Sequence, residues 1–203
     1  MTDKNNANLI NQTSGDFEYY TPEPWPNLAR CLMGQIDLDP ASNEIANQRI
    51  KAARYYTEEQ DGLSQPWTGK VWMNHPFHRG ELAFPENTAK CKKKTGQKRG
   101  YHITEDIAGN DAWINKLITE YQNGNITEAV IICFCSSSEG WFRPLLKFPQ
   151  LFPDGRVNYT LADGSKAVGV TKGSVITYLG PNLDGFAKLF GPYGTIKIEY
   201  SAK

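Results

Sequence analysis

The 203-residue sequence has no run of about 18 uncharged apolar residues, which excludes a transmembrane helix. Residues 1–16 are polar and Asn-rich, lack the apolar core of a secretory signal, and read as a loose arm ahead of a single domain over 17–203. Net charge is missing too. Twenty-two basic residues balance 22 acidic ones, which argues against a protein that holds a polyanion by its overall field. Cysteine is scarce: Cys31, Cys91, Cys133 and Cys135 match no zinc spacing and read as free thiols in a reducing cytoplasm. The Ser136-Ser137-Ser138 cluster has no Gly-x-Ser-x-Gly elbow around it, which argues against serine hydrolysis. Lys172-Gly173-Ser174 lacks the glycine spacing of a phosphate-binding loop.

What the sequence does have is alternation. Short apolar segments exchange with polar or helix-forming ones, the pattern of an α/β sheet with crossover connections. Strands are expected at 35–39, 69–73, 128–135, 156–161, 174–179 and 195–200. Helices are expected at 43–55, begun by Ser42 or Asn43, at 111–122 behind Asn110 as a cap, and at 184–190. The apolar run 128–135 suits a central strand covered on both faces, and the strand-rich close of the chain points to antiparallel edge strands. The expected architecture is therefore a mixed, mostly parallel sheet with helices on both faces. Segment 84–109 fits neither pattern and is long for a loop in a compact domain. Within it Lys90, Lys92, Lys93, Lys94, Lys98 and Arg99 stand without an acidic neighbour, a run that reads on composition alone as a solvated loop.

In an open α/β sheet, ligands bind beyond the carboxyl ends of the strands. Two strand ends here carry reactive or polar residues. The first is Asp37-Leu38-Asp39-Pro40-Ala41-Ser42, where an acid is followed by small residues that let a ligand approach; alone it reads more simply as a strand–turn–helix junction with Asp and Ser as turn and cap. The second is Asn74-His75-Pro76-Phe77. Methylation of an exocyclic amine needs a nitrogen lone pair that is normally delocalised into the base ring. A side-chain amide oxygen from Asn74 and the main-chain carbonyl of His75 would accept both amine hydrogens and favour tetrahedral character. Pro76 would fix the turn, and Phe77 offers a face for an extruded base.

Asn74-His75-Pro76-Phe77 resembles the Asn-Pro-Pro-Tyr/Phe motif of amino-methyltransferases, with His75 where proline is usual. Its surroundings resemble the phage-encoded DNA N6-adenine methyltransferase (Dam-like) family, in the same order. Tyr20-Thr21-Pro22 looks like that family's Thr-Pro segment at the methionine end of the cofactor. Residues Asp37, Asp39, Pro40, Ala41 and Ser42 match its Asp-Leu-Asp-Pro-Ala motif, and Asp61 lies in a stretch expected near the cofactor adenine. The resemblance is close from 19 to 77 and loose from 113 to 200. It implies a Rossmann-like class I methyltransferase fold, S-adenosyl-L-methionine as cofactor, and transfer to adenine N6 of double-stranded DNA with the base flipped out.

With DNA as the implied partner, the basic residues Lys90 to Arg99 become candidate phosphate contacts, since the segment follows the catalytic loop directly. No metal is expected. Cys91 and His102 flank the basic run without a third ligand, and His75 and His78 read as turn and surface residues. No membrane partner is expected, and the place of action is the cytoplasm of a bacterial host. Two other readings stay open: methylation of cytosine N4 or another nucleic-acid base, and a non-catalytic DNA-binding or decoy protein that keeps the fold.

Overall fold

The computed structural model of the chain describes residues 19–83, 105–161, 163–167 and 172–200. The polar arm and the basic residues Lys90, Lys92, Lys93, Lys94, Lys98 and Arg99 lie outside the described residues, as do Cys91 and His102.

The apolar run that follows Gly124 becomes β6 (Ile126–Phe134), and its alternate side chains enter two different cores. Val130, Ile132 and Phe134 pack with Trp72, Ile176 and Tyr178 under α1 (Trp25–Met33) and α4 (Leu183–Phe190). Ala129, Ile131 and Cys133 pack with Val71, Met73, Val175 and Leu179 under α3 (Asn110–Gln122). A strand buried on both faces has no place for a polar alternation, which is why the stretch from Ala129 to Phe134 is continuously apolar. Helices therefore cover both faces of the sheet, as expected.

The sheet has seven strands in the order β2-β1-β3-β6-β8-β7-β9. Here β1 is Leu38–Asp39, β2 Arg54–Tyr55, β3 Gly69–Met73, β7 Gln150–Pro153, β8 Ser174–Leu179 and β9 Gly194–Lys197. Pairs β2/β1, β1/β3 and β3/β6 are parallel, and β8, β7 and β9 add antiparallel strands at the other side. From β1 the chain turns outward to β2, and from β3 it goes the other way to β6. That reversal makes the carboxyl ends of β1 and β3 a topological switch point, where such sheets open a crevice.

Several expected boundaries shift. The first strand is only Leu38–Asp39, although Asp37 N–H already donates to Lys70 O at 2.8 Å. The helix expected over 43–55 is α2 (Glu44–Ile50), capped by Asn43, whose side chain accepts from Ala46 N. It stops because Lys51 turns left-handed (φ 56°) and Arg30 caps the carbonyls of Arg49 and Ile50 at 2.6 and 2.8 Å. Residues 54–55 then pair with β1. Residues 156–161 form no strand; Thr160 makes only isolated bridges to Tyr20 and Lys166, so the alternation there marks burial of Val157 and Tyr159 rather than a ladder. The missing strand is β7, which carries a buried Gln150 and ends in Pro153. Proline tells against a strand when read from sequence. The last strand is Gly194–Lys197 rather than 195–200. Asn110 is not the cap of α3 but its first residue, with Gly109 as N-cap. Part of the expected loop 84–109 is also ordered: β5 (Ile107–Gly109) pairs antiparallel with β4 (Arg79–Glu81) in a two-stranded ribbon.

Candidate active site

At the end of β1, Asp39 is buried (2% exposed). Its Oδ1 accepts from Ala41 N at 3.3 Å. Burial pushes its carboxyl up to about 7, against the opposing pull of the Ala41 amide and the neighbouring Ser42 hydroxyl. Asp37 plays a different part. Its Oδ2 accepts from Lys70 N at 2.8 Å and its Oδ1 from Gln35 Nε2 at 2.5 Å, so the carboxylate braces β1 against the start of β3. Gly69 admits that carboxylate: its φ is +80°, and a Cβ there would lie 2.4 Å from Asp37 Oδ2.

Asp61 sits in a left-handed turn (φ 47°), with Oδ1 accepting from Leu63 N at 3.2 Å and its side chain exposed. The next residue locks this turn onto the Asp39 segment. A Cβ on Gly62 would fall 1.8 Å from the Pro40 carbonyl oxygen, and the Gly62 carbonyl accepts from Trp67 Nε1 at 2.7 Å. Trp67 in turn stacks on Trp113 of α3, ring centroids 6.0 Å apart. Gly62→Ala is therefore expected to force the two cofactor-side segments apart, at a cost of about 3 kcal/mol in urea unfolding. An unchanged midpoint would mean that the turn yields freely.

The Thr-Pro segment meets both strand ends. Tyr20 is buried, pairs by its backbone with Thr160, and its hydroxyl accepts from Asn43 Nδ2 at 3.0 Å. Thr21 is 3% exposed and Pro22 half-buried. Just before them, the Tyr19 carbonyl accepts from Asn74 Nδ2 at 3.1 Å, joining this segment to the loop after β3.

That bond leaves the other end of the Asn74 amide free. Asn74 Oδ1 is buried and has no hydrogen-bond partner among the described residues, and the same holds for Thr21 Oγ1. Buried polar atoms are normally paired. Two unpaired ones on adjoining segments, beside a buried acid, leave donors and acceptors open to a ligand. The His75 carbonyl likewise accepts no hydrogen bond among the described residues. Phe77 is half-buried, with one side tilted against Phe134 at 4.3 Å. Pro76 is exposed, and its carbonyl accepts from His78 N at 2.9 Å. Lys172 places its ammonium 6.0 Å from the Phe134 ring, the ring that packs on Phe77.

The side chain of His75 does not face the mouth. It is 2% exposed, with Nε2 2.9 Å from Asn110 Oδ1, among the rings of Phe77, Trp113 and Trp141 at 5.3, 6.3 and 6.5 Å. Burial lowers its pKa to about 4, outweighing the Asn110 bond, so the ring is neutral near pH 7. Asn110 escaped the sequence reading because a polar residue at a helix start is most simply a cap, and its real partner lies 35 residues away.

The structure thus brings Thr21, Asp39, Ser42 and Asn74 to one end of the sheet and gives Asp37 and Tyr20 structural contacts nearby. A family model described as DNA N-6-adenine-methyltransferase (Dam) matches residues 11–181, a span that takes in the whole site. No curated protein matches the chain. The order of the motifs, the sheet that carries them and the matched span agree: the chain belongs to the DNA N-6-adenine-methyltransferase (Dam) family, and its reaction is methylation of adenine N6 in DNA.

Proposed function

We infer that Asn74 Oδ1 and the His75 carbonyl accept the two hydrogens of the adenine amine, and that Thr21, Asp39, Ser42 and Asp61 line the pocket for S-adenosyl-L-methionine. The family uses this donor in general. When bound, it supplies a methyl group already activated on a sulfonium. The residues present suit it: a buried carboxylate answers its cationic and hydroxyl groups, and the buried hydroxyls of Thr21 and Ser42 can take its remaining polar atoms. Asp37 braces the strands through both its oxygens and keeps further lone pairs that can face the same ligand, as can the Pro40 and Ala41 turn beside it.

The observation that carries the reading is the buried, unpaired Asn74 Oδ1 at a switch point whose other strand ends in Asp39. Two acceptors on one amine draw it towards tetrahedral geometry and free its lone pair for direct transfer, with no covalent enzyme intermediate. The base reaches them by flipping out of the duplex, with Phe77 beside it and Pro76 shaping the turn. Lys90, Lys92, Lys93, Lys94, Lys98 and Arg99 then contact phosphates and make binding salt-dependent. The segment bearing them joins β4 to β5, and so leaves and returns next to the catalytic loop. No helix among the described residues is long and apolar enough to cross a membrane, and we place the reaction in the cytoplasm, where host DNA lies.

The test is radiolabelled methyl transfer from S-adenosyl-L-methionine to unmodified DNA, followed by nucleoside analysis. N6-methyladenine is the expected product. Label in N4-methylcytosine, or cofactor binding without any transfer, would overturn the assignment.

A further inference from the structure

The loop that carries Asn74 is gripped twice by a single residue. Asn110 Oδ1 meets His75 Nε2 at 2.9 Å, and Asn110 N–H donates to the His78 carbonyl at 2.7 Å. Both side chains are shielded from water, His75 at 2% exposure and Asn110 at 8%. An amide oxygen only accepts, so Nε2 carries the imidazole proton. Nδ1 is left with a buried, unpaired lone pair. The backbone N–H costs α3 nothing, since a helix has no internal use for the N–H groups of its first turn. The chain closes the same circuit covalently. β4 follows the loop almost at once, β5 runs straight into Asn110, and Arg79 pairs with Gly109.

A proline at position 75 would fix φ through its ring. Histidine leaves φ free, and the loop needs its rigidity from elsewhere. We propose that Asn110 is a positioning residue for methyl transfer: through His75 and His78 it holds the peptide whose carbonyl receives the amine, taking over the constraint a ring at position 75 would provide. The inference rests on the assignment of Asn74 and the His75 carbonyl to the amine.

The experiment is a cycle of variants in the full chain, with kcat and KM measured separately. Asn110→Ala is expected to lower kcat by tenfold to a hundredfold or thereabouts, with KM for the cofactor little changed. Asn110→Asp keeps an acceptor in place and restores most of the rate. In a His75→Pro background the ring supplies the constraint, so adding Asn110→Ala changes kcat by less than about twofold. Losses that multiply in the two backgrounds, or wild-type kcat in Asn110→Ala, would overturn the proposal.

A second measurement needs no folded Asn110 variant. The sequence has three histidines, and nitrogen-15 spectra of the wild type, assigned with His75→Pro, report the tautomer directly. A neutral ring protonated at Nε2 is expected for His75; an Nδ1-protonated ring overturns the contact itself. Activity that survives in Asn74→Ala would instead remove the underlying assignment. An inactive Asn74→Ala together with multiplying Asn110 effects would overturn only the role of Asn110.

Discussion

Asn74→Ala is expected to lower the rate of methyl transfer by about a thousandfold, the scale seen when a preorganised polar contact to a reacting centre is removed. Asn74 uses its two amide atoms for different ends. Nδ2 donates to the Tyr19 carbonyl at 3.1 Å and so aims the side chain. Oδ1 is buried and unpaired, and is the atom left for the amine. Alanine removes both, and aspartate separates them. Asn74→Asp keeps an acceptor but sets a carboxylate oxygen against the Tyr19 carbonyl, so its rate should fall between those of the wild type and alanine. Cofactor affinity, measured by calorimetry, should change only a few-fold in either variant, because the contact at risk belongs to the amine. If affinity for S-adenosyl-L-methionine collapses along with the rate, Asn74 acts through residues 19–22 instead, and its role as amine acceptor fails.

Much of this site was readable from sequence because its signals are local. Asp39 and Asn74 follow short apolar strands, and the polar residue that ends each strand marks the sheet edge where ligands bind. The central strand announced itself by burial on both faces. What escaped reading depends on contacts far apart in the chain. That Asp37 also braces β1 against β3, through Lys70 N and Gln35, is one such contact. His75 reads as a turn residue, and nothing local announces that Asn110 and the rings of Trp113 and Trp141 surround its side chain. Gly62 belongs to the family-like stretch Asp61-Gly62-Leu63, but nothing local says why glycine is needed there: the Pro40 carbonyl lies where its Cβ would be. β7 was missed because Gln150 is buried against Thr177, Nε2 to Oγ1 at 3.0 Å, a pairing no local pattern announces.

Asp39 carries the largest expected dependence on pH. Its carboxyl is pushed up to about 7 by burial. A cofactor bearing a sulfonium and an ammonium binds best to the ionised form, so affinity at pH 6 should be about tenfold weaker than at pH 8. Asp39→Asn should bind weakly at both values and lose the dependence. Stability of the free protein moves the other way. A group whose folded pKa lies above its unfolded value contributes stability that is complete below the unfolded value, 3.8, and is lost as pH rises through about 7. Ionised Asp39 therefore costs the free protein up to about 4 kcal/mol at pH 8, and Asp39→Asn should recover most of it. His75 has the opposite sign. Its folded pKa of about 4 lies below the ordinary imidazole value of 6.5, so its contribution is present above 6.5 and is lost as pH falls through 4, a change of about 3 kcal/mol. Between pH 4 and 6.5 the two slopes nearly cancel in the wild type. In Asp39→Asn the histidine slope stands exposed, and stability should rise with pH across that window. Urea titrations of both proteins from pH 4 to 8 decide it: the stability difference should grow from near zero to its full size. A difference that stays constant would show that Asp39 ionises as freely as in the unfolded chain, and the pH dependence of cofactor binding would fall with it.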